Sequence, residues 1–292
     1  LTTKPRLSVM KTYKLYVDGK FPRSESGRTY EVYDGKGTFV ANAAKASRKD
    51  ARDAVVAARK AQSGWAGATA YNRGQILYRV AEMIEGRRAQ FVDDVRTAEG
   101  ATAPAANRIV DAAIDRWVWY AGWTDKFSQV VGGANPVAGP YFNLSTPEPT
   151  GVVVAFAPQG SSLLGLVSVI APIIATGNSV VAVSSYARPL PAITLAEVVA
   201  TSDVPSGVVN LLTGDAAEIG PWMADHADVN ALDLTGVDAD VATDLQIRSA
   251  QTLKRVFPAR SSDRDTDFEG DPGTARLAAF VETKTVWHPI GT

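Results

Sequence analysis

A parallel α/β sheet wound on both faces is the fold this sequence predicts, on two observations. Residues 152–157, 180–183, 208–212 and 231–234 form apolar runs without polar alternation, the composition of strands covered on both sides. Helix-length segments at 162–175, 189–201, 216–224 and 237–256 separate or follow them, and a strand, helix, strand rhythm implies parallel connections.

The first part of the chain is different. Residues 13–40 alternate apolar and polar side chains around the turn candidates Asp18-Gly19 and Asp34-Gly35, which predicts short strands or hairpins. Ser47, with Asp50 three residues on, has the pattern of a helix cap ahead of residues 51–62. Ile76, Leu77, Val80, Ala81 and Ile84 recur at the spacing of an amphipathic helix over 71–86, and a third helix is expected over 106–127. Residues 259–273, with Ser-Ser-Asp-Arg-Asp-Thr-Asp and Glu-Gly-Asp-Pro-Gly, offer little apolar surface and read as a linker. An ordered pattern resumes from Leu277, and Thr283, Thr285, Val286 and Trp287 have strand composition. No internal repeat is visible.

Composition narrows the function. With 292 residues, 46% of them hydrophobic, the chain can bury one large or two modest cores. Thirty basic side chains against 31 acidic ones give a net charge of -1, which removes the broad attraction a nucleic-acid or anionic-membrane binder uses. Cysteine is absent, so disulfides, thiolate metal sites and a cysteine nucleophile are excluded by inspection. The longest apolar stretch, 163–175, is too short to span a bilayer, and the first residues match neither a signal peptide nor an anchor; a cytoplasmic protein is expected.

The usual chemical motifs have plain structural readings. His226 and His288 lie far apart with no ligand pattern beside them, so no metal site is expected. Gln159-Gly-Ser-Ser162 follows a strand but lacks the full G-x-S-x-G of a hydrolase, and a helix start explains it better. Asp93 and Asp94 would point to different sides of a helix and read as solvated. Trp117, Trp119, Tyr120 and Trp123 suit core or interface packing better than base stacking.

Several stretches together resemble the aldehyde dehydrogenase superfamily. Pro147-Glu-Pro-Thr-Gly-Val-Val-Val154 is similar to the start of its cofactor domain, Trp119-Tyr-Ala-Gly-Trp-Thr-Asp-Lys126 to the helix before its oligomerisation hairpin, and Ala175-Thr-Gly-Asn-Ser-Val-Val181 to a strand at the cofactor site. Val204-Pro-Ser-Gly-Val-Val-Asn-Leu-Leu-Thr-Gly214 follows the same order, as do His226-Ala-Asp-Val-Asn230 with Leu234-Thr-Gly236, and Glu282-Thr-Lys-Thr-Val-Trp287 resembles the last strand. The resemblance implies a Rossmann-like, doubly wound cofactor domain over 1–138 and 151–258, and oligomerisation elements at 139–150 and 274–292. The linker 259–273 would then stand where relatives carry their catalytic domain.

The chemistry implied by that resemblance fails residue by residue. The family's mechanism requires a thiolate, so no catalytic residue is expected here. Its oxyanion-holding asparagine corresponds to Gly160, preceded by Gln159 where the family has tryptophan. The lysine and glutamate that hold the adenosine ribose correspond to Val183 and Tyr186, and the serine near the pyrophosphate to Val237. Thr235 and Gly236 remain as remnants ahead of a helix start that would permit weak anion or NAD(P) binding, with Arg188 as a possible assistant; otherwise no cofactor is expected. Arg188 reads more simply as a solvated residue opening a helix. Phe142, Leu144, Thr285, Val286 and Trp287 are the expected assembly residues, and an exposed strand edge there implies a partner. That partner is expected to be a catalytically complete aldehyde dehydrogenase subunit, a second copy, or both. A non-catalytic scaffold is thus the leading expectation, with a residual NAD(P)-binding oxidoreductase as the alternative.

Overall fold

The computed structural model describes residues 11–259 and 268–291. Strands β1 (Thr12–Tyr13), β2 (Thr29–Tyr33) and β3 (Phe39–Ala44) form a small mixed sheet in the order β1-β3-β2. Helices α1 (Arg48–Gly67), α2 (Ala70–Gly86), α3 (Arg88–Glu99), α4 (Ala103–Trp123) and the short α5 (Phe127–Val131) follow. Ser47 caps α1 as its sequence predicts: its hydroxyl accepts from Lys49 and Asp50 backbone N–H groups, and the Asp50 carboxylate accepts from the Ser47 N–H.

A hairpin of β4 (Gly133–Asn135) and β5 (Tyr141–Pro149) leads into the central sheet. Its strands β6 (Val152–Phe156), β7 (Ser179–Val183), β8 (Val209–Leu212), β9 (Ala231–Asp233) and β10 (Arg255–Phe257) alternate with α6 (Leu164–Ala175), α7 (Leu190–Val199), α8 (Ala216–Asp225) and α9 (Ala239–Ala250). All pairings in this sheet are parallel, in the order β10-β9-β6-β7-β8. The chain therefore builds outward from β6 in one direction and then in the other, which makes a topological switch point between β6 and β9.

Burial on both faces explains the unbroken apolar runs. Val153 and Ala155 belong to one core with α4 and α6, whereas Val152, Val154 and Phe156 belong to a second core with α1, α8 and α9. Near the outer strand, Tyr16 exchanges two backbone hydrogen bonds with Leu211, which covers part of the edge of β8.

Helix α10 (Ala275–Ala279) and strand β11 (Val281–Pro289) complete the described chain, and β11 pairs antiparallel with β5 from Val281↔Pro149 to Pro289↔Tyr141. Part of the expected linker, 260–267, lies outside the described residues. Its last residues are anchored: Phe268 is buried in the first core, and the buried Arg116 guanidinium donates to the Phe268 and Gly270 carbonyls. The polar composition of 259–273 hid that anchor, because one aromatic ring supplies most of its apolar surface.

Other elements also differ from the sequence reading: the helix expected over 106–127 ends at Trp123, and α5 starts separately at Phe127. α3 was not anticipated, although Phe91, Val95 and Ala98 bury one face of it. The helix expected over 237–256 ends at Ala250, and β10 begins at Arg255. Leu253 takes a left-handed φ of 53° at that junction, a position where glycine would have marked the stop.

Candidate functional site

Ligands of doubly wound sheets sit outside the carboxyl ends of the strands at the switch point, here the gap between β6 and β9. In this chain that gap is bridged by its own polar groups. The Gln159 side-chain amide donates to the Ala157 carbonyl at 3.0 Å, where β6 ends, and to the Gly236 carbonyl at 3.2 Å, just beyond β9. Its carbonyl oxygen accepts from the Tyr186 N–H at 2.9 Å, which brings in the loop after β7. Ser185 Oγ donates to the Gln159 carbonyl, and Arg188 donates to the Gly160 carbonyl at 2.6 Å. Arg188, read from sequence as a solvated helix opener, is thus tied to the β6 loop.

Gly236 has a steric explanation. A Cβ there would lie 1.9 Å from the Ala157 carbonyl oxygen, so only glycine permits the close approach of the two strand ends. Thr235 is equally committed. Its hydroxyl donates to the Asp233 carboxylate and accepts from Arg276 Nη2 at 3.0 Å. Arg276 and Asp233 form an ion pair at 2.6 Å with both side chains almost wholly buried, and the guanidinium lies over the Phe257 ring. Helix α9 does begin just beyond, as expected, but Asp238 and Asp240 occupy its N-terminal turn. Two carboxylates there oppose a pyrophosphate.

Val183 and Tyr186, the positions where the resemblance implies ribose contacts, offer no charge. Val183 is buried, and Tyr186 stacks on Tyr30 with ring centroids 4.4 Å apart. Ser162 is held by Glu99, whose carboxylate accepts from both its N–H and its hydroxyl at 2.7 Å, so it starts a helical segment and has no histidine partner. Among the described residues no cluster of His, Cys, Asp and Glu could hold a metal ion, and no helix is long and apolar enough to cross a membrane. Burial holds the His226 imidazole below its usual range, and its Nδ1 accepts from the Asp228 N–H. Asp94 departs from the solvated reading: its carboxylate accepts from Thr194 Oγ1, and burial pushes it above the usual carboxylate range. Trp117 and Tyr120 are fully buried in the first core.

The expected assembly residues come together in the sheet β11-β5-β4, but on two faces. Register places Val286 opposite Leu144 and His288 opposite Phe142, so Phe142, Leu144 and Val286 share one face. Trp287 and Thr285 share the other, where Trp287 meets Tyr141 edge-on and Thr285 hydrogen-bonds Ser145 at 2.9 Å. Phe142, Val286 and Trp287 are exposed, Trp287 by 58%, and β11 is an edge strand.

Residues 21–259 match the profile of the aldehyde dehydrogenase family. The chain belongs to that family. It is 31% identical over 245 residues to a D-glyceraldehyde dehydrogenase (NADP+) of Thermoplasma acidophilum, covering 84% of this chain and 49% of that protein. It is also 31% identical over 243 residues to the cytosolic 10-formyltetrahydrofolate dehydrogenase of Mus musculus, covering 79% of this chain and 26% of that one. The chain spans about half the length of the shorter curated relatives it matches. Among solved structures, betaine aldehyde dehydrogenase of Staphylococcus aureus in complex with NAD+ superposes with a TM-score of 0.79 at 25% identity, covering 84% of this chain and 48% of that one. An NAD+ complex of an aldehyde dehydrogenase from Bacillus cereus gives 0.78 at 26% identity, covering 84% of this chain and 50% of that one. The Rossmann-like α/β fold of these aldehyde dehydrogenases is therefore the fold of this family member.

The sequence did not disclose the Gln159 bridges or the Asp233–Arg276 pair. A usable signal existed for the second: an aspartate inside the apolar run 231–234 requires buried partners, and a cation is one of them. Nothing in local spacing says that the cation lies beyond the linker.

Proposed function

We propose that this chain is a non-catalytic member of the aldehyde dehydrogenase family that assembles with and scaffolds a catalytically complete aldehyde dehydrogenase subunit. One observation carries the proposal: cysteine is absent from all 292 residues. Aldehyde oxidation in the family runs through a thiohemiacetal, and a chain without cysteine has no thiolate with which to form one. The surroundings agree with this reading. Gly160 has no side chain with which to hold an oxyanion, and loss of two charged ribose contacts at Val183 and Tyr186 weakens dinucleotide binding by about 10² to 10⁴-fold.

Assembly is supported by what the chain still presents. An exposed edge strand carrying Val286 and Trp287 is an aggregation hazard unless another chain covers it. Isolation of the tagged protein from its native host, followed by native mass measurement, tests the idea. An assembly containing an aldehyde dehydrogenase subunit is expected, and a lone monomer at cellular concentration overturns it.

A second reading, residual NAD(P) binding, is favoured by the NAD+ complexes among the structural relatives. Calorimetry with NAD+ and NADP+ at millimolar concentration separates the two readings, since the absence of heat with either dinucleotide removes the second.

A further inference from the structure

Away from the strand ends, an open cleft of about 590 Å³ lies between the N-terminal turns of α1, the turn at residues 24–28 and the outer face of α8. Arg28, Arg48, Lys49 and Arg52 line it, together with Glu25, Glu218 and Trp222. Its charges do not balance. Glu218 is shared by Arg28 at 2.6 Å and Lys45 at 2.8 Å, Glu25 holds Lys49 at 3.6 Å, and Asp53 holds Arg52 at 2.8 Å. Five cations at or beside the cleft, Arg28, Lys45, Arg48, Lys49 and Arg52, thus stand against four carboxylates, Glu25, Asp50, Asp53 and Glu218, in a protein whose net charge is -1. Arg48 has a ring where the others have a carboxylate: its guanidinium stands 5.5 Å from the centre of the Trp222 indole.

Arg48 and Arg52 stand one turn apart on the same helix and line the same cleft, with Arg28 on the facing turn, and Arg52 donates through Nε and Nη2 to Asp53. Planar guanidinium forks match the oxygens of a phosphate, and the Trp222 indole beside them, which the His226 ring meets edge-on at 4.9 Å, adds an aromatic surface for a flat group. We propose that this cleft binds a small phosphate ester carrying a planar ring, with Arg48 and Arg52 on the phosphate and Trp222 against the ring. The α1 amides are not part of the site, because Ser47 already accepts from two of them.

Titration calorimetry of the whole chain with uridine monophosphate, with ribose 5-phosphate as the ringless control, tests this. Uridine monophosphate is expected to bind more tightly than the control. The double variant Arg48→Glu/Arg52→Glu, both at exposed positions, should weaken both ligands by tenfold or more while the thermal midpoint stays in place. Trp222→Leu should bring uridine monophosphate down to the affinity of the control. No binding of either ligand at about 10 mM overturns the proposal, as does binding that the double variant leaves unchanged.

Discussion

Leu253 is a leucine in a glycine's place. It sits at the C-terminal stop of α9 with φ of 53°, and 92% of it faces solvent, so it contributes backbone strain and almost no packing. Leu253→Gly is expected to raise stability by about 1 kcal/mol, read from urea unfolding. Tyr16 shows the opposite balance, since burial pushes its phenol from 10.0 up to about 12, with the Asp18 charge adding to the effect. The folded chain therefore holds the phenolic proton more tightly than the unfolded chain does. Stability from this group is intact below pH 10 and is lost as pH rises from about 10 to about 12. Tyr16→Phe should flatten that alkaline decline, measured as the difference in urea midpoint between about pH 9 and pH 11.5.

Helix α10 and strand β11 are held to the sheet by a few buried polar contacts. Arg276 pairs with Asp233, Asn178 Nδ2 and the Thr150 N–H both donate to the Phe280 carbonyl, and Leu277 and Phe280 enter the first core. Arg276→Met leaves the Asp233 carboxylate buried without its cation, and a loss of about 3–5 kcal/mol is expected from urea unfolding. Hydrogen exchange in that variant should rise first across 275–289, because the cut removes the tie that places β11 beside β5. Four strands of the central sheet were legible because continuous apolar runs have one stable use in an α/β fold, whereas β10, three half-buried residues that continue a helical pattern, was not. α3 was not legible, since Arg87 provides no side-chain cap and only three residues of that helix are buried. At the candidate site, the uncharged side chains at Val183 and Tyr186 could be read directly from the sequence. The Gln159 bridges could not, because hydrogen bonds from one amide to three loops depend on strand order.

At the scale of the molecule, the chain has the family's Rossmann-like α/β fold, contains no cysteine, and presents β11 as an exposed edge strand. The two faces of β5 and β11 expose different chemistry, with Phe142, Leu144 and Val286 on one side and Trp287 beside Tyr141 on the other. Lysine at an edge strand opposes pairing with another chain. The double variant Val286→Lys/Trp287→Lys is therefore expected to leave the unfolding midpoint nearly unchanged and to reduce the native mass to that of one chain. Retention of the full assembly mass would mean that the contact lies elsewhere. The most direct test of a non-catalytic chain is aldehyde-dependent reduction of NAD+ by the purified protein, with every other subunit removed. A rate no faster than the solution background is expected. Turnover well above that background, from this chain alone, would contradict it.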